Sequence, residues 1–402
     1  MRLAPLLIIL MWAGLLWSRA LLSLSMIAIF ILGLVFYLPQ ALKHIRSSRW
    51  LLGMMLLFLL PLLSFFWSTD KAQWLSAVQV KIPLLLMPVL IPFFRSISRE
   101  LATKLLVILS SFVFLCSLYS YWHLFSESGI ETDYLKAKVL RVAMSNDHVR
   151  FAWLLVIVYA WTLYELLRGT FRGIWKIAIA VFLAYIALFI HVLAAKTGLL
   201  GFYLVSLIAV FSIVPRRFRL ASLVSMVLIP LAAWFLLPSF QNRVRFVIWD
   251  FQNYSRGNYV EGLSDGPRMI SYKAAGDLIK SDPLMGVGYG DVLSATWGWY
   301  DAHAPYLKDY ERLLPSNEVL MYTVAAGLLA GIISLIVFMT PFLMKGYRSN
   351  MLWISFHAIS FTGFMYEIGL EVQHGVFLYT FFSCWFYARL STAVATDRAS
   401  HT

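Results

Sequence analysis

Four groups of polar residues interrupt the apolar stretches of this chain. They contain the residue types that bind phosphate or move protons. Ionisable side chains beside hydrocarbon are costly and tend to mark a functional site. The groups are SNDHVR with His148 and Arg150, AAKTG with Lys196, the polar residues 239–316 with Arg268 and His303, and YEIGLEVQHG with Glu367, Glu371 and Gln373. Each group alone could be an interfacial ion pair or a charged side chain that reaches the membrane surface. Their convergence on one side of the predicted topology favours a shared site.

The cations of these groups suit a diphosphate. Arg grips phosphate with a bidentate fork, so Lys196, Arg268 and Arg150 are the candidate ligands. The segment SYKAAGDLIK predicts a short helix that places Arg268 near its N-terminal end, where backbone amides also favour an anion. The run Gly286, Gly288 and Gly290 could cradle phosphate, but no predicted strand precedes it, and a plain turn is the better interpretation.

Candidate general bases lie in the same groups. His303 is the only histidine of the long polar segment, and a neutral imidazole could accept the proton of a sugar hydroxyl or could serve as a structural hydrogen-bonding residue. Glu367 and Glu371 are spaced i and i+4, which predicts one helical face. They could act as bases or pair with the cations.

The elements that must position these residues are membrane spans. Of 402 residues, 61% are hydrophobic and 13% are charged, which indicates an all-α polytopic membrane protein. About twelve stretches are long enough to cross a hydrocarbon core of roughly 30 Å as helices. They cover residues 4–18, 20–38, 50–67, 74–94, 101–124, 149–167, 174–194, 198–214, 219–238, 318–342, 351–367 and 373–390.

The connections predict the orientation, because cytoplasmic loops keep an excess of Lys and Arg. Alternate connections are basic, as at Arg95 and Arg99, at Arg168 and Arg172, and at Arg216 and Arg217. Both termini are therefore expected in the cytoplasm, with the long loop outside. The chain then divides into residues 1–238 with nine spans, a large outer loop at 239–316 with the active-site residues, and residues 317–402 with three spans and a cytoplasmic tail.

Other classes of site find little support. The outer segments contain no HExxH, cysteine pair or DxD motif, so we expect no metal and no cofactor. The net charge of +13 reflects the topological bias and a basic outer loop, and it requires no nucleic-acid partner. Because a nucleotide is not expected outside the membrane, the energy for a reaction there would come from a lipid diphosphate.

The chain resembles the O-antigen ligase and polymerase superfamily of membrane glycosyltransferases in several short motifs on a scaffold of twelve spans. These motifs are Arg268 followed by SDPLMGVGYGD, and then Asn317 and Gly327. AAKTGLLGFYL and GLEVQHGVFLY resemble two further parts of that pattern. The resemblance implies a fold of the C type of glycosyltransferases and a donor glycan carried on undecaprenyl diphosphate in the periplasm. The membrane would then be a bacterial inner membrane, and the outer loop at 239–316 would be periplasmic. It also implies that Lys196 and Arg268 hold the diphosphate, and that a histidine directly before Asn317 acts as the base.

The chain departs from that pattern at two positions. Lys196 stands where Arg is usual, which keeps the charge and loses the fork. Ser316 stands where the histidine is usual, and a serine hydroxyl is a weak base. His303 is therefore the predicted replacement base, with His148, Ser316, Asn317, Glu367, Glu371 and Gln373 as supporting residues.

Together with these residues, the resemblance implies a metal-independent, inverting transfer of a glycan to a hydroxyl of lipid A-core, as in an O-antigen ligase. A polymerase of polysaccharide repeat units uses the same donor and stays an alternative, with a glycan as its acceptor. A transporter or lipid flippase is the alternative from another class, and it predicts repeats, broken helices and deep charges. Lys81 is the clearest deep charge in the sequence.

Overall fold

The computed structural model describes residues 4–126 and 140–400, and every regular element in that part of the chain is helical. The α-helices are α1 Ala4–Trp17, α2 Arg19–Ser47, α3 Arg49–Leu63, α4 Lys71–Leu86, α5 Ile91–Ser96, α6 Arg99–Ser126, α7 His148–Leu167, α8 Gly173–Leu193, α9 Lys196–Ser212, α10 Arg216–Leu236, α11 Pro238–Ser255, α12 Asp265–Ser281, α13 Val292–His303, α14 Glu318–Leu343, α15 Met351–Tyr366 and α16 Gln373–Ser400. Short 3-10 turns cover Ser64–Phe66, Met87–Leu90, Asp309–Glu311 and Gly369–Glu371.

The apolar stretches predicted as spans coincide with helices, so the all-α prediction is confirmed for the described part of the chain. Eight helical segments there are long and apolar enough to cross a membrane, and two shorter apolar helices, Pro5–Trp17 and Lys196–Ser212, accompany them. The chain is thus a multi-pass membrane protein. The number of twelve spans stays a prediction.

The long polar segment is more ordered than its sequence suggested. It contains three helices, α11, α12 and α13, where the sequence indicated only one short helix. The predicted helix is α12, and it begins at Asp265, six residues earlier than the SYKAAGDLIK pattern. It packs on α11 and α14, so the segment lies against the membrane helices.

Three membrane helices bring the polar groups to one end of the molecule. Helices α7, α9 and α15 pack on one another pairwise. The first turn of α9 approaches α7 closely, because a Cβ on Gly198 would lie 2.9 Å from the Ala152 Cβ. Since α7 begins at His148, α9 begins at Lys196 and α15 ends at Tyr366, these three ends meet at one face.

Helix α14 is broken at Ala326 and Gly327, and the glycine-rich turn fills the break. Gly327 has φ +83°, outside the helical region. The amides of Val287 and Gly288 donate to the carbonyls of Val324 and Ala325 at 2.8 and 3.0 Å. The Leu328 amide donates to the Pro283 carbonyl at 2.8 Å.

Backbone groups freed inside a membrane protein need such partners. A turn of the same chain supplies them here, so this broken helix requires no bound ion. The close approach of the glycine turn is to protein backbone, which agrees with its interpretation as a plain turn.

Candidate active site

Three cations and three carboxylates alternate at the shared end of α7, α9, α12 and α15. We call Lys196, Asp265, Arg268, Glu367, Arg150 and Asp147 the charged cluster. Lys196 Nζ contacts the Asp265 carboxylate and lies 3.3 Å from the Ser264 hydroxyl. Arg268 contacts the Glu367 carboxylate and donates to the Ser264 carbonyl at 3.1 Å. The three cations predicted to bind diphosphate therefore lie together.

Glu367 joins the two arginines of the charged cluster. One of its oxygens contacts Arg268, and the other lies 3.9 Å from Arg150 Nη1. Arg150 also donates to the Ile368 carbonyl at 3.2 Å and lies 3.7 Å from Asp147. The Arg150 side chain is only 11% exposed, so its orientation is fixed by these partners.

The N-terminus of α12 is not open to an anion, contrary to the expectation from sequence. Asp250 of α11 is fully buried and accepts hydrogen bonds from the amides of Ser264, Asp265 and Gly266 at 2.9, 2.7 and 3.1 Å. A carboxylate of the protein thus occupies the position that a phosphate would take at this helix end. Any ligand of the charged cluster must be held by side chains.

A second group of charges lies deeper, beside the same face. Lys81 of α4 is fully buried, contacts the Glu371 carboxylate and donates to the Leu370 carbonyl at 2.9 Å. Its ammonium also lies 5.1 Å from the ring centre of Tyr289. Glu318 accepts from the Leu370 amide at 3.0 Å. Its other oxygen is buried without a hydrogen-bond partner among the residues that the structure describes.

The prediction that Glu367 and Glu371 share one helical face is wrong. Helix α15 ends at Tyr366, and Glu367 has extended backbone angles, with φ −140° and ψ 152°. Glu371 follows in a separate 3-10 turn. The two carboxylates consequently pair with different cations, Arg268 with the first and Lys81 with the second.

Ser316 and Asn317 connect the helices around the charged cluster. The Ser316 amide donates to the Ser271 hydroxyl at 3.2 Å. Asn317 caps α14 by accepting from the Leu320 amide at 3.1 Å. Its amide group also donates to the Met365 carbonyl at 3.2 Å.

The Tyr272 hydroxyl reinforces this connection by donating to the carbonyls of Ser316 and Met365 at 3.2 and 3.3 Å. Burial raises the pKa of Tyr272 above its ordinary value, so the hydroxyl keeps its proton and remains a donor. Helices α12, α14 and α15 are thereby held in a fixed arrangement beneath the cations.

The other predicted site residues lie at varying distances from the charged cluster. His148 begins α7 and lies within electrostatic reach of Glu367 and Arg150. Gln373 instead donates to the Ser23 hydroxyl of α2 at 2.7 Å. Arg243 of α11 lies within electrostatic reach of Lys196.

In the described part of the chain, no hydrogen bond or ion pair joins His303 to the charged cluster. Its ring is exposed, stacks on Trp299 with a centroid distance of 4.7 Å, and places Nδ1 3.0 Å from the Trp299 carbonyl. Trp299 in turn donates to Asp277 at 3.2 Å. Asp277 is nine residues after Arg268 on α12, about 13 Å along that helix. The role of His303 as a base stays a prediction.

Two residues of this site were missed by sequence reasoning. Asp250 is a single acid in an amphipathic helix, and nothing in its local pattern indicates a cap for α12. Glu318 could have been noticed, since it is an acid at the start of an apolar helix, but only the fold shows that it faces Leu370. The described ranges contain no group of three or more His, Cys, Asp or Glu side chains that could hold a metal ion.

Comparison with known proteins agrees with the resemblance seen in the sequence. Residues 180–335 match the family model described as O-antigen ligase. The matched segment includes Lys196, Arg268, His303, Ser316 and Asn317, whereas Arg150 and Glu367 lie outside it. No curated protein matches the chain.

Proposed function

We propose that this membrane protein, whose residues 180–335 match the family model described as O-antigen ligase, transfers a glycan from undecaprenyl diphosphate to a hydroxyl of lipid A-core. The reaction takes place at the periplasmic face of a bacterial inner membrane, with both termini in the cytoplasm. The family match supports O-antigen ligase or polymerase chemistry broadly. The donor, the acceptor and the mechanism are our proposal.

The observation that carries this proposal is the convergence of Lys196, Arg268 and Arg150 from three separate parts of the chain. Their carboxylate partners hold the cations in place before a substrate arrives. Lys has three donors and Arg has five, so N–H groups remain for phosphate oxygens after the observed contacts are counted. A diphosphate would also displace or share some of the carboxylate partners.

In the proposed reaction, the acceptor oxygen attacks the anomeric carbon as the bond from that carbon to the diphosphate oxygen breaks. The bonding electron pair leaves with the diphosphate, and the hydroxyl proton passes to a base. Negative charge therefore grows on the leaving group, where Arg268 and Lys196 would stabilise it. Attack from the face opposite the leaving group inverts the anomeric centre.

The function is tested by the lipopolysaccharide of a deletion strain. Loss of a ligase leaves the core without any attached glycan, and this is the result that we expect. Core that carries a single repeat unit would identify a polymerase instead. Unchanged lipopolysaccharide would contradict both assignments.

The base is tested by separate His303→Ala and Ser316→Ala variants. Loss of a general base typically lowers a rate by 10²–10⁴-fold. Because His303 is the predicted base, we expect His303→Ala to lower the rate of glycan transfer at least about a hundredfold, and a loss of less than about tenfold would remove it from that role. A loss of a hundredfold or more in a purified transfer assay, at unchanged protein yield, would support His303 as the base. Ser316→Ala serves as the matched substitution at the family's usual position for the base.

A further inference from the structure

A cavity of about 430 Å³ lies at the end of the molecule opposite the charged cluster. Four of the side chains around it are arginines, Arg95, Arg99, Arg168 and Arg389, and we call it the arginine cavity. Glu165 is the one carboxylate among its described lining residues, so their formal charges sum to about +3.

The same helices carry both sites at their two ends. Arg150 and Arg168 stand eighteen residues apart at the start and end of α7, which is about 27 Å of helix. Likewise, α15 contributes Leu352 to the cavity at its beginning and leads to Glu367 at its end. The two sites are therefore separated by about one hydrocarbon thickness. The arginine cavity is not part of the proposed transfer site.

Three of these arginines, Arg95, Arg99 and Arg168, keep side-chain donors beyond their observed contacts. Arg95 Nη1 lies 3.0–3.1 Å from the His44 ring nitrogens, while its Nε is buried and has no hydrogen-bond partner in the part of the chain that the structure describes. Arg99 donates to the Thr170 hydroxyl at 3.2 Å and lies 4.0 Å from Glu165, whose oxygen accepts from that hydroxyl at 2.6 Å. Arg168 donates a hydrogen bond to a neutral group, the Tyr164 hydroxyl, at 2.7 Å.

The excess of Lys and Arg on cytoplasmic loops accounts for arginines near span ends. It does not account for four that meet around one cavity beside a single carboxylate. That arrangement leaves an excess of positive charge that a bound anion would balance. Guanidinium groups match phosphate oxygens in a bidentate manner, which indicates the chemistry of that anion.

The remaining walls are apolar and aromatic. Trp161, Trp385 and Phe386 line the cavity together with Leu352 and Leu390. Tryptophan favours the membrane interface, the depth at which lipid phosphates lie. We propose that the arginine cavity binds a phosphate-bearing anion, either the headgroup of an anionic phospholipid or a soluble phosphate compound.

The test uses the full-length chain purified in detergent and three probes: phosphatidylglycerol, the zwitterionic phosphatidylethanolamine, and inorganic phosphate. Bound lipid is counted by native mass spectrometry, and binding is also followed by the shift in thermal unfolding temperature. The cavity variant is Arg99→Gln with Arg168→Gln, whose side chains are exposed and whose loss should leave the fold intact. The matched control is Arg216→Gln with Arg217→Gln, two exposed arginines outside the cavity on the same predicted side.

We expect saturable binding of phosphatidylglycerol that weakens at least about tenfold in the cavity variant and less than about twofold in the control. Saturable binding of inorganic phosphate with the same dependence, and no additional effect of phosphatidylglycerol, would assign a soluble ligand and support the same chemistry. Equal losses in the two variants would overturn the proposal. Equal binding of phosphatidylethanolamine and phosphatidylglycerol, or no binding of any probe, would also overturn it. All of these readouts are independent of glycan transfer.

Discussion

Arg268→Ala is expected to reduce glycan transfer at least about a hundredfold, because a preorganised donor facing the developing charge is usually worth that much or more. Arg268 contacts Glu367 and lies 3.7 Å from Asp265, so it links the Lys196 and Arg150 ends of the charged cluster. Its removal takes away a cation and also leaves Glu367 with one fewer partner. Transfer should be measured with purified protein, donor and acceptor.

Two further variants separate chemistry from folding. Arg245→Ala removes an exposed arginine of α11 in the same long segment, and it should retain near-normal transfer. Arg268→Lys keeps the charge but loses the planar fork, so we expect an intermediate rate. All three variants should reach the membrane in normal amounts. Normal surface glycan in Arg268→Ala would contradict the proposed role.

The helices and the meeting of three cations on one face could be predicted because both depend on local chemistry. Apolar runs mark buried or membrane helices wherever they occur, and Lys196, Arg268 and Arg150 interrupt or border such runs at visible cost. The residues at the ends of α7, α9 and α15 could likewise be assigned to one side from the alternation of basic connections. No long-range contact was needed for these conclusions.

The partners of those cations could not be predicted, since they depend on how helices pack. Glu367 reaches Arg268 only because α15 stops at Tyr366 and the next residue becomes extended. A spacing of i and i+4 contains no information about that ending. Asp250 caps α12 across a connection of nine residues, and an open helix end would have had the same sequence pattern.

The glycine turn illustrates how two local features acquire one explanation from the fold. A break in α14 and a run of three glycines are each unfavourable in isolation. In the structure they satisfy each other's backbone groups, from Val287 and Gly288 to Val324 and Ala325. The same contacts hold the long polar segment against the membrane helices, so the position of α12 and its Arg268 depends on this junction.

Gly327→Val is therefore expected to lower the stability of the protein strongly. Gly327 has φ +83°, and a Cβ there would overlap the Leu284 carbonyl oxygen, a backbone atom that cannot move aside by rotation. Strain in this region of backbone space and the clash together predict a loss of about 3 kcal/mol in the free energy of unfolding.

Gly298→Ala is the matched control, because no atom lies within 4 Å of its added Cβ and helix α13 favours alanine. The thermal unfolding temperature and the yield of monodisperse protein in detergent should fall sharply for Gly327→Val and stay the same or rise for Gly298→Ala. If the two variants were equally stable, the break in α14 would not depend on glycine. The glycine turn alone would then not fix the position of Arg268.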